Sequence, residues 1–230
     1  MPTYQDIVDC YKTKIRPHAD WELSEFSAKG PLSHAIQRAA LCLMPDGRTF
    51  PHQHRIPKDS LRKAAAVLAD AGAEMAACSD FEELYGTVSR RIRDIHMIGD
   101  LTIYDIAHRI GVNLGIQPQS VYLHRGTAEG IRILGLLGFN GRLDVDDLPE
   151  AFRQLSPNEI EGCLYLFKRE LKAISREGEI ACKANRRPCR SCIEEKARTG
   201  CVVPRPSEGS MGPGSKNRKG PVGGIRPWSV

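Results

Sequence analysis

Residues 182–201 read CKANRRPCRSCIEEKARTGC, with cysteines at Cys182, Cys189, Cys192 and Cys201. Four clustered thiolates make either an iron–sulfur cluster site or a zinc site. Cys189 and Cys192 bracket only Arg190-Ser191, so one tight turn carries two sulfurs to a common metal. Arms of six and eight residues return the outer two sulfurs to it. Arg186, Arg187 and Arg190 sit inside the loop, which suits it to grip phosphates. The competing reading is a set of unligated or redox-active thiols.

Outward from this loop, the chain reads as an ordinary intracellular protein. At 230 residues and 41% hydrophobic it can bury a sizeable core, as one domain or two small ones. Cys10, Cys42, Cys78 and Cys163 fall singly in helical, apolar contexts and read as buried thiols, not a disulfide framework. Met1 to Asp20 is punctuated by Asp6, Asp9, Lys12, Lys14 and Arg16, unlike a signal peptide. No apolar run approaches the length that crosses a bilayer. The expectation is a soluble monomer of a reducing, cytoplasmic compartment (with the nucleoid DNA in a bacterium) and no membrane partner. A net charge of +5 permits an acidic partner without demanding one.

The periodicity is helical nearly everywhere, and no stretch alternates with period two. Helices are expected over Tyr4 to Lys14, Pro31 to Leu43, Ser60 to Ala71, Asp80 to Met97, Thr102 to Leu114, Gln119 to Leu137, Val145 to Leu155 and Pro157 to Ser175. The fourth has a capping box in Ser79 and Glu82. The fold class is therefore all-α. Residues 1–79 form an N-terminal helical part packed on the core, 80–181 a central helical region, and 182–201 the metal loop. Residues 202–230, rich in Pro, Gly and Ser with Lys216, Arg218 and Lys219, read as a disordered basic tail.

A second informative stretch is Ile95-His96-Met97-Ile98-Gly99-Asp100-Leu101-Thr102, followed by IYDIAHRIGVNLG. One amphipathic helix ends, a tight turn pivots on Gly99, and Thr102 can cap the next helix. Such a turn exposes backbone N–H groups at a helix N-terminus, where a phosphate is favoured. An ordinary helical corner with a glycine C-cap is the alternative.

Together the hairpin and the cysteine loop resemble the helix-hairpin-helix DNA glycosylases, specifically the endonuclease III-like branch. The resemblance covers roughly residues 80 to 201. Ser120-Val121-Tyr122-Leu123-His124 is similar to the family's Val-Asp-Thr-His stretch, and Leu148 to Pro157 to its next helix and turn. It implies a [4Fe–4S] cluster on Cys182, Cys189, Cys192 and Cys201, with zinc as the alternative. It also implies double-stranded DNA held by Ile98, Gly99, Leu101 and Thr102, assisted by Arg125, Arg187 and Arg190. The chain departs from the family at informative places. Met97 replaces the first hairpin glycine, and the last cysteine gap is longer than usual. Leu101 stands where bifunctional members place a lysine, so no amine is present there to form a Schiff base. Tyr122 stands where the catalytic aspartate belongs.

Glycosidic hydrolysis nevertheless needs a carboxylate to stabilise an oxocarbenium-like sugar and orient water, and a pocket that holds the flipped base. Asp105, with His108 and Arg109 one turn ahead, is the relocated candidate; a surface pair with Arg109 is its bland alternative. Tyr122 could stack on the base and His124 could position water or a phosphate. Alternatively, Tyr122 fills the core and His124 bonds a backbone carbonyl. His52 and His54 read as a basic loop or crossover before a zinc site, and Arg90, Arg91 and Arg93 as phosphate contacts or a solvated helix face. The function implied is a monofunctional DNA glycosylase. The alternative is a non-catalytic nucleic-acid-binding protein with a structural zinc or iron–sulfur knot.

Overall fold

The computed structural model describes residues 3–27, 30–136, 138 and 140–175. The four cysteines of the expected metal loop, Arg187, Arg190 and the basic tail lie outside them. Within them the fold is mostly helical, with one two-stranded ribbon.

Thr3 opens α1 (Tyr4–Cys10) with a reciprocal cap: its hydroxyl accepts from the Asp6 amide and the Asp6 carboxylate from the Thr3 amide, both at 2.9 Å. The expected helix to Lys14 does not run straight on. Pro17 has no N–H to continue the ladder, so the chain widens into a π turn at Tyr11–Ile15 and restarts as α2 (Arg16–Leu23). There follow α3 (Leu32–Ala40), α4 (Lys58–Asp70), the short α5 (Gly72–Ala76), α6 (Phe81–Ile92) and α7 (Asp100–Leu114). The cap of α6 is Asp80, which accepts from the Glu83 amide, one residue later than the expected Ser79. Ser79 instead donates its own amide and hydroxyl to Glu83.

α7 is the axis of the larger core. Ile103, Ile106, Ala107 and Ile110 are buried, and the helix packs between α3 and α6. Gly111 accounts for part of that closeness, since a Cβ there would collide with the backbone carbonyl of Ile116. Gly115, at φ +72°, ends the helix in the left-handed conformation that glycine tolerates.

The helix expected over 119–137 is shorter, and the reason is local. Val121–Tyr122 forms β1 and pairs antiparallel with β2 (Arg142–Leu143), Val121 opposite Leu143 and Tyr122 opposite Arg142. Only after His124 does α8 (Arg125–Ile133) begin; Gly135, at φ +71°, follows its end. Alternation along β1 then divides the interior, because successive strand side chains point to opposite faces. Tyr122 joins the larger core, whereas Val121 joins a second core built from α1, α8 and α9 (Pro157–Leu166). The N-terminal helix thus packs against the C-terminal half of the described chain. The helix expected at 145–155 is two 3-10 turns, Val145–Asp147 and Glu150–Gln154, because Pro149 cannot donate to a continuous ladder. Gly130 brings α8 onto α9: a Cβ there would lie 2.5 Å from the Leu164 carbonyl oxygen. Among the described residues no helix is long and apolar enough to cross a membrane.

Candidate functional site

Between the two cores lies a cavity of about 1000 Å³. α7 lines it with Tyr104, Asp105, His108 and Arg109, β1 and the residues after it with Tyr122 and His124, and α9 with Glu161. Three of these, Asp105, Tyr122 and His124, are the residues singled out from the sequence as catalytic candidates, and the fold brings them together.

Asp105 is not a surface carboxylate. Its Oδ2 accepts from Gln53 Nε2 at 2.9 Å and lies 2.8 Å from His52 Nε2. The expected pair with Arg109 exists at 3.9 Å, with side chains 17% and 5% exposed. Arg109 is held in turn, donating from Nη1 to Gln53 Oε1 at 3.0 Å while its guanidinium stacks 3.7 Å over the Phe50 ring. Burial alone would raise the Asp105 carboxyl. The His52 hydrogen bond and the charges of His52 and Arg109 outweigh it and hold the group below the usual carboxylate range. The loop carrying Phe50, His52 and Gln53 is therefore a clamp that keeps one buried carboxylate ionised.

An aromatic wall stands beside it. Tyr104 lies 4.9 Å, centroid to centroid, from both Tyr122 and His124. The Tyr122 hydroxyl donates to Glu82 Oε1 at 2.6 Å, and Arg142 both pairs with Glu82 and covers the Tyr122 ring at 4.9 Å. Tyr122 therefore has its hydroxyl engaged and offers the cavity a ring. Tyr104 Oη and His124 Nε2 are buried with no hydrogen-bond partner among the described residues. Burial lowers the His124 imidazole pKa, and His108 falls for the same reason to about 4, so both rings stay neutral at pH 7.

Glu161 is the residue that sequence reasoning missed. Its carboxyl accepts from Thr127 Oγ1 at 2.7 Å, the one hydrogen bond described for it. Although the cavity opens onto it, protein surrounds it closely. Burial first, then the Asp105 charge, raises it to about 7, against the opposing Thr127 hydrogen bond. Its sequence signal was faint: an acid inside the apolar run Ile160-Glu161-Gly162-Cys163-Leu164, where a solvated position was the simpler expectation.

At the mouth, Leu101 is 40% exposed and lines the cavity. Arg55 from the larger core's loop and Arg125 at the start of α8 are exposed cavity-lining cations with no ion-pair partner among the described residues. In the hairpin, Ile98 is buried in the larger core. Gly99 is the N-cap of α7, and a Cβ on it would meet nothing within 4 Å. Thr102 does not cap the helix: it lies buried at the third helical position, because the helix starts earlier, at Asp100. The left-handed residue of the turn is Met97, at φ +65°. Arg90 and Arg91, both anchored on Glu74 at 3.1 and 2.5 Å, tie α6 to α5.

The cysteines placed by the structure, Cys10, Cys42, Cys78 and Cys163, are free thiols. Among the described residues no group of three or more His, Cys, Asp or Glu is arranged to hold a metal ion. Compared with protein-family models, with curated proteins and with solved structures, the chain matches none.

Proposed function

We propose that this protein is a monofunctional DNA glycosylase of the helix-hairpin-helix type, hydrolysing the N-glycosidic bond of a damaged or modified base flipped out of double-stranded DNA. The observation that carries this reading is Asp105: a buried carboxylate kept ionised on the wall of a cavity large enough to admit a nucleoside, beside an aromatic wall. A negative charge fixed there favours the oxocarbenium-like sugar that forms as the bond to the base lengthens. The same carboxylate orients the attacking water and takes its proton. Tyr104, Tyr122 and His124 supply ring faces on which a flipped base stacks, which supports recognition of a base outside the duplex.

The approach of DNA follows from the mouth. Gly99 and the amides after it are open to a phosphate, and Arg55 and Arg125 supply cations on the two sides of the junction. Leu101 supplies an apolar side chain at the lip and no amine, consistent with hydrolysis without a Schiff base. The four thiolates of Cys182, Cys189, Cys192 and Cys201 suit a [4Fe–4S] cluster, or zinc, that would shape an arginine-bearing loop against the backbone; iron, sulfide and zinc analysis distinguishes the two.

The test is abasic-site formation from duplexes each carrying one modified base, followed as alkali-labile strand cleavage. Asp105→Asn keeps the shape of the side chain and removes its charge, so base release is expected to fall by about 10²–10⁴-fold while duplex binding persists. Binding without abasic product from any duplex, unchanged by the substitution, would instead identify a non-catalytic nucleic-acid-binding protein.

A further inference from the structure

Asp105 accounts for one side of the reaction, the sugar and the water. A base leaving as an anion is a poor leaving group, and a proton delivered to a ring nitrogen removes that obstacle. The cavity holds a second carboxyl on the opposing core, and its surroundings are the reverse of Asp105's. Thr127 of α8 donates to one oxygen of Glu161, and no Lys, Arg or His pairs with it among the described residues. The ionisable groups whose charge couples to Glu161 are Asp105 and Tyr104 of α7 and Tyr11 of the π turn. The cations that line the same cavity, Arg55, Arg109, Arg125, Arg142 and Lys168, form no ion pair with it. Tyr104 Oη and His124 Nε2, unpartnered among the described residues on the wall of the same cavity, can hold the polar edge of a ligand.

We infer that Glu161 is the general acid of the reaction, which restricts the acid-dependent substrates to neutral bases with an unprotonated ring nitrogen, the purine type above all. The inference rests on the glycosylase reading and deepens it. As the C1′–N bond breaks, its electron pair goes to the base, and the Glu161 proton passes to the base's ring nitrogen. The water oxygen bonds to C1′, and the water proton passes to Asp105. The products are a neutral free base and a sugar hydroxyl, and the two carboxyls return to their starting states by exchange with solvent. Two carboxyls in one cavity, one held by His52, Gln53 and Arg109 and one by a single hydroxyl, divide the acid and base roles. The raised titration of Glu161 agrees with that division, since an acid must keep its proton near neutral pH.

The experiment compares wild type, Glu161→Gln and Glu161→Asp on two kinds of duplex. One carries a neutral purine, hypoxanthine or 8-oxoguanine. The other carries 7-methylguanine, whose positive charge makes it a good leaving group without a proton. Glu161→Gln is expected to lose about 10²-fold or more on the neutral purine and to keep 7-methylguanine release within a few-fold, which also shows that it folds. Glu161→Asp is expected to restore part of the loss. Wild-type release of the neutral purine should fall as pH rises through about 7. Equal loss on both duplexes, or no loss on the neutral one, overturns the inference. Wild-type release confined to 7-methylguanine overturns it too, yet leaves the glycosylase reading standing. No release from any duplex removes that reading and, with it, this one.

Discussion

Asp105, presented by the larger core, and Glu161, presented by the smaller, line one cavity but are supported in opposite ways. The first is gripped by His52 and Gln53 across more than fifty residues of sequence, with Arg109 behind it. The second has Thr127 alone. Both carboxyls lose water on folding, a loss that disfavours ionisation. What differs is whether cations offset it. A carboxyl held by His52, Gln53 and the Arg109 guanidinium stays charged in the interior, and one with a single hydroxyl partner holds its proton more tightly. Two chemical roles thus arise from one residue chemistry, decided by which core supplies the neighbours.

Removing the clamp should erase the difference, and this is the largest effect expected. In His52→Ala the Asp105 carboxyl loses its hydrogen bond and a neighbouring charge, leaving burial to dominate. Its titration should move up, so the acid limb of the pH–rate profile should rise by about one to three units. On 7-methylguanine, which needs no proton from Glu161, the variant should slow towards acid pH and recover much of its rate by about pH 8. A limb that stays in place would show that Arg109 and Gln53 suffice.

Removing the other carboxyl should sharpen the difference in stability. Folded Glu161 titrates at about 7, above its ordinary value of 4.5. Between those values the folded state keeps a proton that the unfolded chain has released, so this group's contribution falls as pH rises through that window. Above the window the native state carries an unfavourable buried charge. Glu161→Gln should therefore be more stable than wild type at pH 8, by about 1–3 kcal/mol, with the advantage vanishing near pH 4. Urea midpoints at the two pH values measure it. His108 titrates at about 4, and its contribution is lost as pH falls below 6.5, but it acts in both proteins and cancels from their difference. A gain in stability accompanying a loss of activity is the signature of a group kept for function.

How much of this was legible in the sequence depended on range. The start of α9 at Pro157, the end of α7 at Leu114, and the turn around Gly99 are local signals, and all three appear. Pro17 and Pro149 were visible too, but a periodicity count passes over a single missing N–H. The ribbon was not legible, because two-residue strands such as Val121–Tyr122 are too short to display an alternation. Asp105 could be picked from its type and place, whereas its partners could not: His52 and Gln53 reach it only through the packing of a loop onto α7. Glu161 was hidden for the opposite reason. No cation pairs with it among the described residues, and that lack, uninformative in a string of letters, is what sets its chemistry.

The smallest effect expected lies at the hairpin that connects the larger core to the cavity mouth. Met97 takes φ +65°, a left-handed conformation that costs a side-chain-bearing residue roughly 1–2 kcal/mol. Its side chain is 52% exposed, so little burial is lost with it. Glycine adopts that conformation freely but has more freedom to lose on folding, roughly 0.5–1 kcal/mol. Met97→Gly should therefore be neutral or stabilising by about 0.5 kcal/mol in a urea titration, with activity unchanged if the residue only makes the turn. A loss of base release at unchanged stability would show instead that the strain is retained because the exposed methionine, beside Leu101, touches DNA. The hairpin would then belong with Asp105 among the parts kept at a cost to stability, and not with the scaffold that merely carries them.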